Sequence, residues 1–208
     1  MNGLEPVLIV QDVVLPCGSP ASISLQVYRS QVLLITGENG IGKSTLLNCV
    51  AGLQQPKSGI ITRRTSHIGY FVQSTRIFWN LTVVENVVIG LRARDNGVRG
   101  LLRPFASYSA LWSDSIAATL TEFQLTRYGN RPAALLSGGE LQRLRFAQIT
   151  ASAPDLLLLD EPFADLDQPS SEIIANAVNR LSPSAAIVLV THKIAPSIHF
   201  QRSYAFAA

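Results

Sequence analysis

The sequence has little charge, almost no cysteine or methionine, and no apolar run long enough to cross a membrane. Charged residues fill 15% of the 208 positions, and hydrophobic residues fill 47%. An average globular domain carries about 25% charged residues. The composition therefore predicts a large buried core and excludes general disorder. A membrane helix needs about 20 consecutive apolar residues, so none is predicted.

The charge balance and the cysteines exclude further classes. Seventeen basic and fourteen acidic residues give a net charge of +3, which is too small an excess to predict a nucleic-acid-binding surface. Cys17 and Cys49 lack the spacing of a metal site, and we expect two reduced thiols in a cytosolic compartment. Residues 1–6 contain an acid and no basic segment, so no signal peptide is expected.

Strand-like and helix-like patterns alternate along the chain. Strands are predicted at 7–14, 23–28, 31–36, 57–62, 66–72, 156–160, 186–191 and 203–206, and helices at 44–52, 81–91, 113–123, 141–153 and 170–181. This order indicates an α/β domain with a mostly parallel sheet. The stretch 74–153 is poor in strands and predicts a helical insertion, in which 92–105 is expected to be an irregular surface segment.

A glycine-rich turn follows the apolar strand 31–36 and precedes a helix. It matches the phosphate-binding P-loop, two glycines bracketing four residues before Lys-Ser. Glycines let successive backbone N–H groups point at phosphate oxygens, and the helix start adds its positive end. The predicted nucleotide-binding residues here are Gly37, Glu38, Asn39, Gly40, Ile41, Gly42, Lys43, Ser44 and Thr45. Lys43 is expected to reach the β and γ phosphates, and Ser44 to bind Mg²⁺.

Two acids follow four leucines at the end of a predicted buried strand. An unpaired carboxylate beside such a strand is unfavourable, so Asp160 is expected to face a Mg²⁺ ion, directly or through water. Glu161 is a candidate to polarise the water that attacks the γ-phosphate. The alternative is a strand that simply ends in solvated acids.

Residues 136–143, Leu-Ser-Gly-Gly-Glu-Leu-Gln-Arg, resemble the signature motif of the ABC ATPase family. The resemblance extends from about Leu8 to His192. It implies a P-loop core with a mostly parallel sheet and a small antiparallel lobe, at about 1–73 and 154–208, and a helical lobe at about 74–153. It also implies two ATP molecules sandwiched in a dimer, where Ser137, Gly138 and Gly139 bind the γ-phosphate held by the other subunit.

Three further positions resemble family motifs. Gln73 is similar to the glutamine that touches Mg²⁺ and water and relays to the transport subunit. Residues 164–167, Ala-Asp-Leu-Asp, resemble the loop that crosses the dimer interface. His192 resembles the histidine that contacts the γ-phosphate, although a lone histidine at a strand end is more often structural.

One departure from the family concerns the adenine base. The family usually carries an aromatic residue near the end of the first strand pair, and residues 14–18 contain none. Apolar contact from Leu15 or Pro16 is the expected substitute.

The resemblance implies Mg²⁺-dependent ATP hydrolysis that energises a membrane transporter. The expected partners are transmembrane subunits and a second ATPase subunit, either another copy or a paralogue, with no nucleic acid. The expected location is the cytoplasmic face of the cell membrane. The alternatives are a soluble ABC ATPase acting on nucleic acid or ribosomes, and a nucleotide-binding subunit with weak turnover. Cargo and direction of transport are not predicted.

Overall fold

The computed structural model describes residues 5–16, 22–72, 77–96, 113–193, 195 and 197–206. The strands are β1 (Pro6–Val14), β2 (Ile23–Tyr28), β3 (Val32–Thr36), β4 (Ser58–Arg63), β5 (Ile68–Phe71), β6 (Leu156–Asp160), β7 (Ala186–Val190) and β8 (Arg202–Ala205). The helices are α1 (Lys43–Ala51), α2 (Val83–Asn96), α3 (Ser113–Glu122), α4 (Gly138–Thr150) and α5 (Gln168–Leu181), with short 3-10 turns at Thr126–Tyr128 and Ala133–Leu135.

The chain divides into two compact units. The first comprises residues 1–73, 155–164 and 178–208, and the second comprises 74–154 and 165–177. All eight strands belong to the first unit, and α2, α3 and α4 belong to the second.

The first unit contains a parallel sheet in the order β5-β6-β7-β3-β8. The four leucines of β6 and all five residues of β7 are buried, as expected of parallel strands that are covered on both faces. Because the strands run in one direction, the carboxyl ends of β3, β6 and β7 share an edge. The loops that follow them are therefore brought together, as is usual for ligand sites in parallel sheets.

A smaller antiparallel sheet in the same unit has the order β2-β1-β4. Burial alternates along β2, where Ile23, Leu25 and Val27 face the core, because successive side chains of a strand point to opposite faces. A parallel sheet, a small antiparallel sheet and helices together confirm the predicted fold class.

Two helices of the second unit, α2 and α4, begin at side-chain caps. The Thr82 backbone N–H donates to Glu85 Oε2 at 2.7 Å, and the Glu85 N–H donates to Thr82 Oγ1 at 3.2 Å. Ser137 and Glu140 form the same reciprocal pair before α4. Each pair satisfies backbone donors that the first helical turn leaves unpaired, which is why α2 and α4 start where they do.

The prediction of an irregular segment over 92–105 is wrong for residues 92–96, which are helical. Helix α2 continues to Asn96, and Arg92 is only 2% exposed. Its position follows Val88 by four residues, so it lies on the same helix face as the buried Val88. The remainder of the predicted segment, 97–105, lies outside the described residues.

Along the part of the chain that the structure describes, none of the helices combines the length and apolar composition that crossing a membrane requires.

Candidate functional site

The turn between β3 and α1 has the backbone geometry of an anion-binding loop. Gly40 and Gly42 adopt φ of 79° and 111°, and Gly42 immediately precedes Lys43, the first residue of α1. These left-handed conformations favour glycine, and Gly42 has no side chain to cap the helix. The first N–H groups of α1 are therefore directed at any anion seated on the loop.

Lys43 lies inside this turn and is 6% exposed. Its Nζ donates to the carbonyl oxygens of Gly37 and Glu38, both at 2.7 Å. The same Nζ lies 3.1 Å from Nε2 of His192. The ammonium is thus held at the centre of the loop, where it donates hydrogen bonds to two backbone carbonyls and lies beside His192, two residues after the end of β7.

Asp160, the last residue of β6, faces Ser44. Burial raises the pKa of the Asp160 carboxyl above its ordinary value, and Glu161 raises it further, while a hydrogen bond with Ser44 and the Lys43 charge act in the opposite direction. Its Oδ1 atom is buried and has no hydrogen-bond partner among the described residues. A hydroxyl beside an unsatisfied carboxylate oxygen fits a hard cation with oxygen ligands, such as Mg²⁺.

Glu161 has a left-handed backbone, with φ of 48°. Its N–H donates to the Val190 carbonyl at 2.9 Å, and its Oε2 accepts from the His192 backbone N–H at 3.2 Å. Oε1 lies 3.6 Å from His192 Nε2. Non-glycine residues keep such backbones only when their surroundings enforce them, often at functional sites. Here β6 and β7 turn the carboxylate toward the phosphate loop.

These groups border one cavity of about 190 Å³ in the first unit. The residues that line it are Asn39, Gly40, Gly42, Lys43, Ser44, Thr45, Asp160, Glu161, Val190 and His192. Ile41, also a predicted nucleotide-binding residue, instead packs its side chain against the hydrophobic core. Gln73 lies outside the described residues, so its predicted contact with Mg²⁺ stays a prediction.

The predicted signature residues belong to the second unit, at the start of α4. The Ser137 backbone N–H donates to Glu140 Oε2 at 2.8 Å. A hydrogen bond from Tyr128 holds the pKa of the Glu140 carboxyl below its usual value. A Cβ added at Gly138 would have no atom of the described residues within 4 Å, and one at Gly139 would approach Ser170 Oγ at 3.2 Å. Neither glycine has positive φ.

Asp167, in the segment 164–167, caps the next helix. Its Oδ1 accepts from the Ser170 backbone N–H at 3.0 Å, and hydrogen bonds from Ser170 hold the pKa of its carboxyl below the usual range. This contact accounts for Asp167 within the second unit, and the predicted interface role of the segment stays a prediction.

The comparison with protein families decides the classification. The sequence profile described as ABC transporter matches residues 21–164. The chain belongs to the ABC transporter family.

Individual ABC proteins resemble this chain closely. The sulfate/thiosulfate import ATP-binding protein of Gloeobacter violaceus is 35% identical over 184 residues, which cover 83% of this chain and 50% of that protein. The molybdenum import ATP-binding protein of Mycobacterium tuberculosis is 30% identical over 190 residues, with the same coverage, 83% and 50%. The chain therefore spans about half the length of these relatives.

A solved ATP-binding cassette of an ABC transporter has the same fold, with a TM-score of 0.78. The alignment covers 97% of this chain and 87% of that one, at 21% identity.

The prediction that Leu15 contacts adenine, in place of the ABC family's usual aromatic residue, is wrong. Leu15 is 0% exposed and belongs to the hydrophobic core, so its side chain cannot contact a bound base. It follows β1, whose inward-facing residues are buried, and it continues that face. Pro16 is exposed, and residues 17–21 lie outside the described part of the chain.

Two residues of this ABC protein make hydrogen bonds that were not predicted from the sequence. The Tyr70 hydroxyl donates to Asn48 Oδ1 at 3.0 Å, one helical turn beyond Ser44. Asn86 is fully buried, and its amide donates to the Phe78 and Thr82 carbonyls while it accepts from the Phe78 N–H. An asparagine within an apolar helical stretch is the signal that points to Asn86.

Proposed function

We propose that this chain binds and hydrolyses ATP with Mg²⁺, and that two such subunits energise a membrane transporter. One observation carries the proposal: Lys43, Asp160, Glu161 and His192 converge on a single cavity beneath a phosphate-binding loop. ATP-binding subunits of this family are generally ATPases. The steps below assign roles to the side chains of this chain.

The phosphate loop would hold the triphosphate of ATP. The N–H groups at the start of α1 and the Lys43 ammonium are positive groups that are fixed before the substrate arrives. Lys43 Nζ now donates hydrogen bonds to the Gly37 and Glu38 carbonyls. With ATP bound, it would donate to oxygens of the β and γ phosphates instead. Such pre-positioned charge is the main device of phosphoryl-transfer sites.

Ser44 and Asp160 would hold Mg²⁺, with Gln73 as a further predicted ligand. The buried, unsatisfied Oδ1 of Asp160 supports this assignment, because one or two carboxylates together with substrate phosphates are the usual environment of Mg²⁺. When bound, the ion would neutralise negative charge on the phosphates of ATP.

Glu161 would accept the proton of the attacking water. Its Oε2 is oriented by the His192 backbone N–H, which leaves Oε1 directed at the cavity near the His192 ring. His192 would donate to the γ-phosphate from Nε2, the atom that now lies 3.1 Å from Lys43. A base held in place by a neighbouring backbone donor needs little rearrangement during the reaction.

Ser137, Gly138 and Gly139 would bind the γ-phosphate held by a second subunit. Gly138 supports this proposal because no local feature of the structure requires glycine there. Its φ is not positive, and an added Cβ would have no atom of the described residues within 4 Å. A ligand from outside the chain is a sufficient reason for leaving this surface bare.

An exposed apolar patch, Phe78, Trp79 and Leu135, would receive the transmembrane subunit. These side chains are 48%, 49% and 58% exposed, and the Ala134 N–H donates to the Trp79 carbonyl. Large exposed apolar side chains that cluster together mark interaction surfaces. The chain would then work at the cytoplasmic face of the membrane.

The names of the relatives support import as the direction of transport. They concern sulfate or thiosulfate and molybdenum, and another relative, from Nocardia farcinica, is named for aliphatic sulfonates. Because the named substrates differ, no single cargo is proposed for this chain.

A nucleotide-binding subunit with weak turnover is the second candidate. The burial of Leu15 favours it, because it removes one of the two expected contacts with adenine. This candidate differs from the first in predicting no loss of phosphate release when Glu161 is replaced.

Light scattering with and without ATP tests the pairing of subunits. The Glu161→Gln chain is expected to double its molar mass when ATP and Mg²⁺ are added, because trapped substrate keeps the sandwich closed. The Lys43→Ala chain, which cannot hold the γ-phosphate, should remain at the mass of a single chain. A Glu161→Gln chain that binds ATP yet keeps its mass would contradict a pair of identical subunits.

A further inference from the structure

The last strand of the parallel sheet ends beneath the phosphate loop. Strand β8 lies beside β3, with Thr36 opposite Ala205. The Phe206 backbone N–H continues this ladder and donates to the Thr36 carbonyl at 2.9 Å. Because β3 leads directly into the loop, this pairing places Phe206 next to Gly37, the first loop residue.

Phe206 occupies the space that a side chain at position 37 would need. A Cβ added to Gly37 would lie 2.8 Å from the Phe206 Cβ and 3.3 Å from its carbonyl oxygen. The backbone of Gly37 also has φ of 147°. The loop therefore starts in direct contact with a residue far away in the sequence.

Three residues lie at the start of the loop on its core side, and we name them the loop underside: Gly37, Ile41 and Phe206. Phe206 is 8% exposed and belongs to the hydrophobic core, against which Ile41 packs. Ile41 Cγ2 lies 3.5 Å from the position of a Gly37 Cβ. The Tyr204 ring meets the Phe206 ring edge-on, with centroids 5.8 Å apart.

Gly37 also contacts the candidate site, through Lys43. The Gly37 carbonyl accepts a hydrogen bond from Lys43 Nζ at 2.7 Å. Displacement of Gly37 would therefore move a contact of Lys43 together with the start of the loop. No group of the loop underside touches Glu161 or His192 in the contacts described above, since those residues follow β6 and β7.

We infer that Phe206 is a positioning residue that keeps the phosphate loop in its nucleotide-binding conformation. The inference rests on the proposed function. A loop that is in its binding conformation only part of the time has an apparent affinity reduced by that fraction. The Phe206 ring lies in the hydrophobic core and meets the Tyr204 ring, so it anchors the Cβ and the carbonyl that face Gly37. Loss of the ring should therefore free these atoms and weaken ATP binding, while the chemical step at saturating ATP stays close to that of the wild type.

The test compares ATP affinity in Phe206→Ala, Phe206→Leu and Leu181→Ala with the wild type. Leu181 is 3% exposed and lies at the end of α5, so its truncation also removes buried apolar contacts but leaves the loop underside intact. Dissociation constants for ATP and kcat at saturating ATP are measured at a temperature where circular dichroism shows each chain folded.

The expected result is a rise in the ATP dissociation constant of about tenfold for Phe206→Ala. Phe206→Leu should lie between that value and the wild type, and kcat should change less than twofold. Leu181→Ala should bind like the wild type. If Phe206→Ala does not fold, Phe206→Leu decides, and a dissociation constant at least about twofold above the wild type supports the inference.

Wild-type affinity in the folded Phe206 variants would overturn the inference, as would an equal loss of affinity in Leu181→Ala. A wild-type chain that binds no ATP at all would overturn the proposed function, and this inference with it. The two failures are therefore distinguished by the wild-type titration.

Discussion

Asp160 combines an unfavourable position in the fold with a proposed role in the site. Its Oδ1 is buried without a hydrogen-bond partner among the described residues, and burial raises the pKa of its carboxyl. A raised pKa means that the folded chain holds the charged carboxylate less favourably than the unfolded chain does. We therefore expect Asp160 to be kept for binding Mg²⁺ and not for stability.

Replacement of Asp160 by asparagine should separate stability from activity. Asparagine retains the hydrogen bond with Ser44 but removes the desolvated charge, so we expect the free energy of unfolding at neutral pH to rise by roughly 1 kcal/mol. Phosphate release should be lost. Urea unfolding without nucleotide and a phosphate assay measure the two effects, and a destabilised Asp160→Asn chain would contradict this account.

The same residue predicts a pH dependence of stability. The folded pKa of Asp160 lies above its unfolded value, so over the pH interval between the two the folded state binds more protons. The contribution of Asp160 to the free energy of unfolding should therefore fall as pH rises through that interval. Urea unfolding at several pH values measures the free energy of unfolding of Asp160→Asn minus that of the wild type. This difference should grow as pH rises through the interval. A constant difference would contradict the assignment.

Contact between α2 and α4 depends on Gly90. A Cβ added there would lie 1.8 Å from the Gln148 carbonyl oxygen, a backbone atom that cannot rotate away. Gly90→Ala should force the helices apart and lower the free energy of unfolding by about 1–3 kcal/mol. Thermal or urea unfolding measures this effect, and an unchanged midpoint would show that the helices do not pack as described.

Gly138 provides the contrasting case on α4. An added Cβ would meet no atom within 4 Å in the part of the chain that the structure describes, so Gly138→Ala should leave stability unchanged or raise it by at most about 1 kcal/mol. If the start of α4 binds the γ-phosphate of a second subunit, turnover should fall by at least about tenfold. Wild-type turnover in a stable Gly138→Ala chain would argue against the proposed sandwich.

Most elements were predictable because their patterns are local. The apolar runs of β3, β6 and β7 each lie within a few residues, and the structure places strands there. The predicted helix 81–91 is found as Val83–Asn96, and the predicted helix 141–153 is found as Gly138–Thr150. The proximity of the loop, the two acids and His192 was also predictable, because each follows a parallel strand and the carboxyl ends of such strands lie at one edge of the sheet.

The features that were missed depend on distant partners. The burial of Leu15 and Arg92 is decided by which face of a strand or helix is covered, and an amino-acid pattern around a single position does not reveal this. The contact of Gly37 with Phe206 joins residues that are far apart in the chain. Nothing in the loop motif indicates what lies beneath it.

At the scale of the whole molecule, the chain spans about half the length of its sulfate/thiosulfate and molybdenum relatives. The patch of Phe78, Trp79 and Leu135, in the second unit, is the proposed contact surface for a transmembrane partner.

Replacement of Trp79 by serine should separate partner binding from hydrolysis. Trp79 is 49% exposed, so we expect the isolated Trp79→Ser chain to fold and release phosphate like the wild type. Co-purification with a multi-span membrane protein should be lost. Leu53→Ser, which alters a 73% exposed residue of the first unit, is the matched control. Retained co-purification in Trp79→Ser, or salt-sensitive binding of the wild type to RNA or DNA instead, would contradict the assignment.

We propose that the cavity below the phosphate loop hydrolyses ATP. Mg²⁺-dependent phosphate release from ATP by the purified chain tests it most directly, beside Lys43→Ala and Glu161→Gln. Lys57→Ala and Glu5→Gln make the same chemical changes at exposed positions and serve as controls. We predict that the two site variants lose at least about 100-fold in turnover and that the controls match the wild type. Equal phosphate release in the wild type and Glu161→Gln, under conditions where both bind ATP, would contradict the claim.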